Sequence, residues 1–405
     1  MVFGLSSVQF DRKHLILVFS LFFLLLAGSI KPTVSFFEGA DRIFTPVVGL
    51  LANLSSFFAL LSLTVMAVWL SVVFFRYQKS PKIEGVTRYY LYLKIWGCII
   101  LLLFGSFEFS YVLSACVLII VTLFIRGWDL EYGGAFSLVA LSIAGYGVFF
   151  SLINFYEFVI NPQSSIWAGR LYGVTNHPNF VAGYSAIMLP FLIWLVQVHK
   201  GWMRYLVVIA SLILVLLIFM SGSRSSLVSM ILGVGCYFSL VFGFSRMLLV
   251  GVPVLTVLTG GMLFVLLGGE VESIGFGRLL STENTREYVN YQLWSVFLDY
   301  PIWGNPTAVE VTSNSYLLVL ARFGIVGGGL LLCIVLGVVV AVFKSFISSK
   351  SVVSVPYLSS LAVILPYSLF EGVLVENFSL GQCVFVMCLA YLSISNENDL
   401  SGELG

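Results

Sequence analysis

The chain has 405 residues, of which 60% are hydrophobic and only 10% charged, and its mean hydropathy is +1.05. A soluble domain carries roughly a quarter charged residues, so a soluble globular fold is excluded, and nucleic acid is not an expected partner. Composition points instead to an all-α, polytopic integral membrane protein, read as one membrane domain over 1–405.

A span needs about 20 mostly apolar residues. In chain order such stretches cover 14–30, 46–75, 89–106, 108–125, 134–155, 179–198, 203–220, 225–242, 247–268, 314–343, 354–370 and 377–394. This gives about twelve transmembrane helices, with eleven to thirteen the defensible range because the second stretch is long and the fourth short. No segment alternates as a barrel strand does, so the spans are helices whose backbone groups are satisfied internally. The first stretch has the outline of a signal peptide: Arg12 and Lys13, then Leu15 to Leu26, then Ala27, Gly28 and Ser29. Spans follow at once, so it is expected to remain as an uncleaved first helix. Cys98, Cys116, Cys236, Cys333, Cys383 and Cys388 all fall in apolar runs and form no CxxC pair. They read as small core residues, not as disulfides or metal ligands.

A cytoplasmic N-terminus sorts the Lys and Arg residues as Arg12, Lys13, Arg76, Lys79, Lys82, Arg88, Arg126, Lys200, Arg204, Arg246, Lys344 and Lys350 inside. Lys31, Arg42, Arg170, Arg224, Arg278 and Arg286 fall outside. Twelve against six satisfies the positive-inside rule and puts both termini in the cytoplasm. Inside, half of these cations are lysine; outside, all but Lys31 are arginine. Arginine's planar fork suits phosphate, whereas lysine would serve equally well for snorkelling to headgroups.

Three outer segments carry most of the polar residues. The first, Asn161 to Asn179, holds Arg170, Asn176, His177 and Asn179. The second is the turn Ser221-Gly222-Ser223-Arg224-Ser225-Ser226, where helix N–H groups favour an anion or are capped by the serines. The third is the long loop 269–312, with Arg278, Glu283, Asn284, Arg286 and Glu287. Within it Val289, Leu293, Val296, Phe297 and Tyr300 recur at helical spacing and predict a surface helix near 284–300, apolar side against the membrane. The loop re-enters the membrane through Ser313, Asn314, Ser315 and Tyr316.

The order of these features resembles the O-antigen ligase and polymerase superfamily. The matching residues are Arg170, Gly173, Pro178 and Asn179; then the Ser223-Arg224 turn; then Arg286, Trp294, Pro301 and Gly304; then Asn314, Tyr316, Leu317, Gly324 and Gly327. The resemblance implies a GT-C-like glycosyltransferase of the bacterial inner membrane, with its active site in the periplasm. Its substrates would be glycans on undecaprenyl pyrophosphate, with no cofactor and no metal. Arg170, Arg224, Arg278 and Arg286 would hold the pyrophosphate, with Asn179, Asn314 and Tyr316 beside the glycan. A chain-length regulator and membrane lipid are the further partners it implies.

Two departures favour a polymerase of O-antigen or exopolysaccharide repeat units over a ligase. Ser313 stands where the ligase pattern has histidine, and a serine hydroxyl is no base at neutral pH. Arg322 stands where the family often has an acid. Expulsion of a pyrophosphate develops negative charge that fixed cations stabilise, so Arg170 and Arg286 are the expected catalytic cations. His177, Glu283, Glu287 and Glu310 are the base candidates; a histidine before proline equally suits a loop hydrogen bond. Trp167, Tyr172, Trp294 and Trp303 could stack on sugars, although membrane interfaces attract such rings anyway. The alternatives are a ligase acting on lipid A–core and a lipid-linked oligosaccharide flippase. Against the flippase, Lys94, Glu108 and Arg322 are the ionisable residues inside spans, and Lys94 and Glu108 are expected near span ends.

Overall fold

The computed structural model describes residues 12–30, 43–77, 83, 85–106, 108–167, 169–243, 286–309, 314–347, 353–375 and 378–402. The described chain is almost entirely helical. In order it runs α1 (Arg12–Ser29), α2 (Pro46–Tyr77), α3 (Gly85–Leu103), α4 (Phe109–Tyr132) and α5 (Ala135–Ile160). A short turn, α6 (Pro162–Ser165), leads to two-residue strands β1 (Ile166–Trp167) and β2 (Arg170–Leu171). Then follow α7 (Pro178–Val198), α8 (Trp202–Ser221), α9 (Arg224–Phe242), α10 (Glu287–Asp299), α11 (Ser315–Ile347), α12 (Ser354–Tyr367) and α13 (Leu380–Gly402). Eight described helices are long and apolar enough to cross a membrane, and three shorter apolar helices (Lys13–Ser29, Ser354–Tyr367 and Leu380–Ser393) accompany them. This is a polytopic, membrane-embedded helical protein. The expected span 247–268 lies outside the described residues.

Helix α7 is the axis: 78% of its apolar window is buried, against 17% for α2. It packs on α5, α8, α9 and α12, while α11 lies against α3 and α10. Close approach at the axis is set by Gly183, where an added Cβ would overlap the Tyr367 ring. Hydrogen bonds tie the helix ends into two groups. At one end Tyr357 donates to the Phe136 carbonyl (2.6 Å) and Thr87 to the Leu389 carbonyl (2.9 Å). At the other, Asn161 Nδ2 donates to the Ile43 carbonyl (2.6 Å) and Arg170 to the Ser221 carbonyl (2.8 Å). The second group of ends carries the functional candidates.

Three expectations need correction. The stretch 314–343 is not one continuous span: Gly324 has φ 64° and ψ −164°, so 315–323 and 325–347 are separate helices. The interruption is filled by the chain after α10. Asn305 N donates to the Ala321 carbonyl (2.8 Å), Ile325 N to the Pro301 carbonyl (2.8 Å), and Trp96 Nε1 to the Phe323 carbonyl (2.9 Å). Non-helical backbone at membrane depth requires such partners. Second, the stripe of α10 turns towards protein: Leu293 is buried, and Val289 and Val296 pack on the core. Third, Cys116 and Cys333 are exposed on outward helix faces; Cys236, Cys383 and Cys388 are buried, and no disulfide joins any of the cysteines.

Gly304 and Gly324, read from separate stretches of sequence, meet at this interruption. Both have positive φ (73° and 64°), and a Cβ on Gly324 would stand 2.8 Å from the Gly304 nitrogen. Gly324→Ala should therefore destabilise the protein by about 2–5 kcal/mol, combining left-handed strain with overpacking. Gly329→Ala, with open space around its Cβ, should be close to neutral. Thermal midpoints of the two purified variants in detergent check the contrast; equal midpoints would show that the interruption is not tightly packed.

Candidate functional site

The site grows from the segment between α5 and α7. Strands β1 and β2 pair Trp167 with Arg170 and Ile166 with Leu171, around Gly169 with φ 69°. Gly173 (φ 55°) then lets the chain turn against Asn154, whose Oδ1 accepts from Val174 N at 2.9 Å. His177 caps α7, its Nδ1 accepting from Asn179 N at 3.1 Å, and Pro178 takes the first helical position. This geometry aims Arg170 and Asn179 at each other. Arg170 Nη2 donates to Asn179 Oδ1 (2.7 Å), while its Nε donates to the Ser221 carbonyl (2.8 Å).

The second half is the turn after α12. Ser315 holds it three ways: its N donates to the Ser368 carbonyl (2.9 Å), its Oγ to the Glu371 carbonyl (2.7 Å), and its Oγ accepts from Leu374 N (3.2 Å). Glu371 is thereby presented, nearly buried, to Asn179, whose Nδ2 donates to Glu371 Oε1 at 2.7 Å. The same carboxylate oxygen pairs with Arg286 at the start of α10. The Arg286 guanidinium also lies 5.8 Å from the centre of the Phe370 ring. A cation at a helix N-terminus opposes the helix dipole; Glu371 offsets that penalty.

Arg170 and Arg286 thus converge on one carboxylate, Arg170 through the Asn179 amide and Arg286 directly. Arg170, Arg286 and Glu371 together bring two positive charges and one negative to the cluster. His177 does not add to it. Burial first, then the charges of Arg170 and Arg286, push its pKa down from 6.5 to about 4. Its lone pair at Nδ1 is occupied by the Asn179 N–H, so the neutral ring carries its proton on Nε2. Glu157, another buried acid at this end, is held differently. It accepts from Thr45 Oγ1 (2.5 Å), Thr45 N (3.2 Å) and Asn161 Nδ2 (3.2 Å).

Arg170, Asn179, Arg286 and His177, four of the expected site residues, are therefore brought together. Arg224 is exposed at the start of α9, three residues beyond Ser221, with Ser223 as the helix cap. Asn314 caps the helix that begins at Ser315, accepting from Tyr316 N (2.9 Å) and Leu317 N (3.2 Å). The Tyr316 hydroxyl donates to the Leu365 carbonyl at 3.1 Å. Arg278, Ser313, Glu283 and Glu310 lie outside the described residues. Glu287 is exposed in the first turn of α10. Glu371 was not singled out from the sequence. The available signal was its isolation, since only Glu371 and Glu376 are charged between 353 and 395.

Two further ionisable sites lie deeper. Arg322 pairs with Glu108 at 3.3 Å. Lys94 is at the middle of α3, not near its end, and is wholly buried. Its Nζ is 3.0 Å from Ser114 Oγ and 4.3 Å from the centre of the Tyr111 ring. Among the described residues, no group of three or more His, Cys, Asp or Glu is placed to hold a metal ion.

No protein-family model matches the chain, and a comparison with curated proteins gives no match either.

The depressed His177 pKa has a consequence for stability. Between the ordinary 6.5 and about 4, the unfolded chain takes up a proton that the folded site resists. The contribution of neutral His177 is present above pH 6.5 and is lost as pH falls through that window. His177→Asn keeps a capping side chain without the titration. Its thermal midpoint in detergent should fall less between pH 7 and pH 5 than that of the wild type; parallel profiles would place the imidazole in water.

Proposed function

We propose that this protein is a membrane glycosyltransferase of about twelve spans with a GT-C-like architecture. It joins lipid-linked oligosaccharide repeat units, of O-antigen or exopolysaccharide, at the expense of an undecaprenyl pyrophosphate linkage. In this reading the site end faces the periplasm of a bacterial inner membrane and both termini face the cytoplasm. The observation that carries the reading is the sharing of one buried carboxylate by Arg170 and Arg286, the first through Asn179. A pyrophosphate has the charge and the oxygen count to engage both forks. The two guanidinium groups would stabilise the leaving group as its bond to the anomeric carbon breaks. By the resemblance, Arg224 and Arg278 would join the pyrophosphate grip and Asn314 and Tyr316 would sit beside the glycan, and a chain-length regulator would act from outside the bundle.

The ligase alternative needs a base at the loop exit, where Ser313 stands. The flippase alternative draws on Lys94, a buried cation at mid-helix of the kind found in coupled transporters. A deletion strain separates the three readings. A polymerase leaves core capped with a single repeat; a ligase leaves core uncapped; a flippase leaves lipid-linked units on the inner leaflet.

In a reconstituted assay with undecaprenyl-pyrophosphate repeat units as donor and acceptor, long chains should form without lipid A–core. Arg286→Ala should lower the rate by about 10²–10³-fold. Arg286→Lys should also be strongly impaired, because a point charge does not reproduce the fork. His177→Ala should be milder than either. A strict need for lipid A–core would replace the polymerase by the ligase, and a fully active Arg286→Lys would remove Arg286 from the phosphate.

A further inference from the structure

Helix α10 has two faces rich in apolar residues, and the fold uses one of them. Val289, Leu293 and Val296 turn inward, Leu293 buried and the two valines packed on the core. At about 100° per residue, Tyr291, Trp294 and Leu298 fall on the opposite side, with Tyr288 beside them. These four side chains are exposed, Tyr288 at 70% and Tyr291 at 71% the most open. The three rings recur every third residue, about 4.5 Å apart along the helix axis, and the row begins two residues after Arg286. Trp294 leans on Phe297, ring centres 5.2 Å apart, and the Tyr288 hydroxyl accepts from Gln292 Nε2 at 2.9 Å. Trp303, by contrast, stacks on Trp96 and braces the strap after α10. The helix that carries the rings is itself fixed by the interlock at Gly304 and Gly324.

The outward face does not suit phospholipid headgroups. A helix lying among headgroups carries Lys and Arg on its polar side, and from Glu287 to Asp299 there is neither. The charges of α10 are instead the carboxylates of Glu287 and Asp299. Glu287 suits the positive end of the helix dipole, whereas Asp299 in the last turn opposes it. Among the described residues, Asp299, Tyr291 and the Trp294 indole N–H make no hydrogen bond or ion pair. Open ring faces with a carboxylate and polar ring tips beside them match a ligand that has C–H faces and hydroxyl edges. We propose that the outward face of α10 is a glycan subsite, where Tyr288, Tyr291 and Trp294 stack on successive sugars and Asp299 accepts from their hydroxyls. This inference rests on the glycosyl-pyrophosphate reading above. The pyrophosphate marks the Arg286 end, and the donor glycan runs from there towards the C-terminus of α10. Stacking uses ring faces and tolerates different sugars, so the subsite governs how much glycan is gripped. A longer donor covers more rings, and its hold rises with length until Trp294 is reached.

The test uses the full-length protein in lipid nanodiscs. The binding probe is the oligosaccharide released by mild acid from the lipid-linked intermediates of the cells that carry the gene, free of lipid and pyrophosphate. Turnover of the intact lipid-linked units is measured alongside. Tyr291→Ala and Trp294→Ala should each weaken oligosaccharide binding about tenfold and raise KM by a similar factor, with a smaller effect on kcat. Tyr291→Phe keeps the ring face and should bind like the wild type. Trp202→Ala removes a ring 72% exposed at the start of α8, at the other end of the bundle, and should leave binding unchanged. If the wild type transfers glycan and both alanine variants match it in oligosaccharide binding and KM, the face contacts membrane or another protein. The subsite is then wrong while the glycosyltransferase reading stands. If the wild type binds the oligosaccharide, the alanine variants bind it weakly and no transfer occurs, the subsite stands and the glycosyltransferase reading falls. If the wild type neither binds the oligosaccharide nor transfers glycan, both fall together.

Discussion

The carboxylate of Glu371 sets the arrangement of the site because each of its partners comes from a different part of the chain. Arg286 brings the start of α10, and Asn179 brings the start of α7. Through Asn179, Arg170 adds the β1–β2 hairpin, and through the Ser221 carbonyl the end of α8. Removing one partner from such a buried network leaves charge without compensation, which is far more costly than the net worth of any single bond. The network also gathers helix N-termini. Helices α7, α9, α10 and α11 all begin at this end, each contributing a fraction of a positive charge. Guanidinium groups and helix dipoles therefore add in the same direction.

The position of Arg286 depends on backbone as well as on charge. Between α10 and α11 the chain crosses the break at Gly324, and its N–H groups and carbonyls satisfy those that the break releases. That interlock needs Gly304 and Gly324 in close contact, and neither position has room for a side chain. The short helix 315–323 is anchored at both ends: Ser315 grips the Glu371 turn, and Arg322 pairs with Glu108 at the start of α4. The carboxylate and its arginine are thus held by two ends of one braced unit. A shift in the strap after α10 would move both.

How much of this was legible in the sequence follows from the range of the interactions. Helices are local, so long apolar runs located α2, α5, α7 and α8 closely, and the spaced apolar residues located α10 within 284–300. Arg170, Asn179 and Arg286 stood out because arginines are sparse and sit beside Gly, Pro and Asn turns. Glu371 carried no such context. Its meaning lies in contacts with residues 85 and 192 positions away, which no periodicity encodes. The break at Gly324 was hidden by the apolar sequence on both sides of it, since hydropathy does not register a backbone dihedral. Lys94 was misplaced for a related reason: α3 begins at Gly85, earlier than the apolar run suggests, which carries the lysine to mid-helix.

His177 shows how the two arginines limit what an imidazole can do at this site. An imidazole serves as a base only if a ring nitrogen offers its lone pair to the substrate and its pKa lies near the working pH. His177 meets neither condition as it stands: Nδ1 is bound to the α7 N-terminus, and burial beside Arg170 and Arg286 pushes its pKa to about 4. The two arginines thus leave His177 as a neutral cap on the first turn of α7.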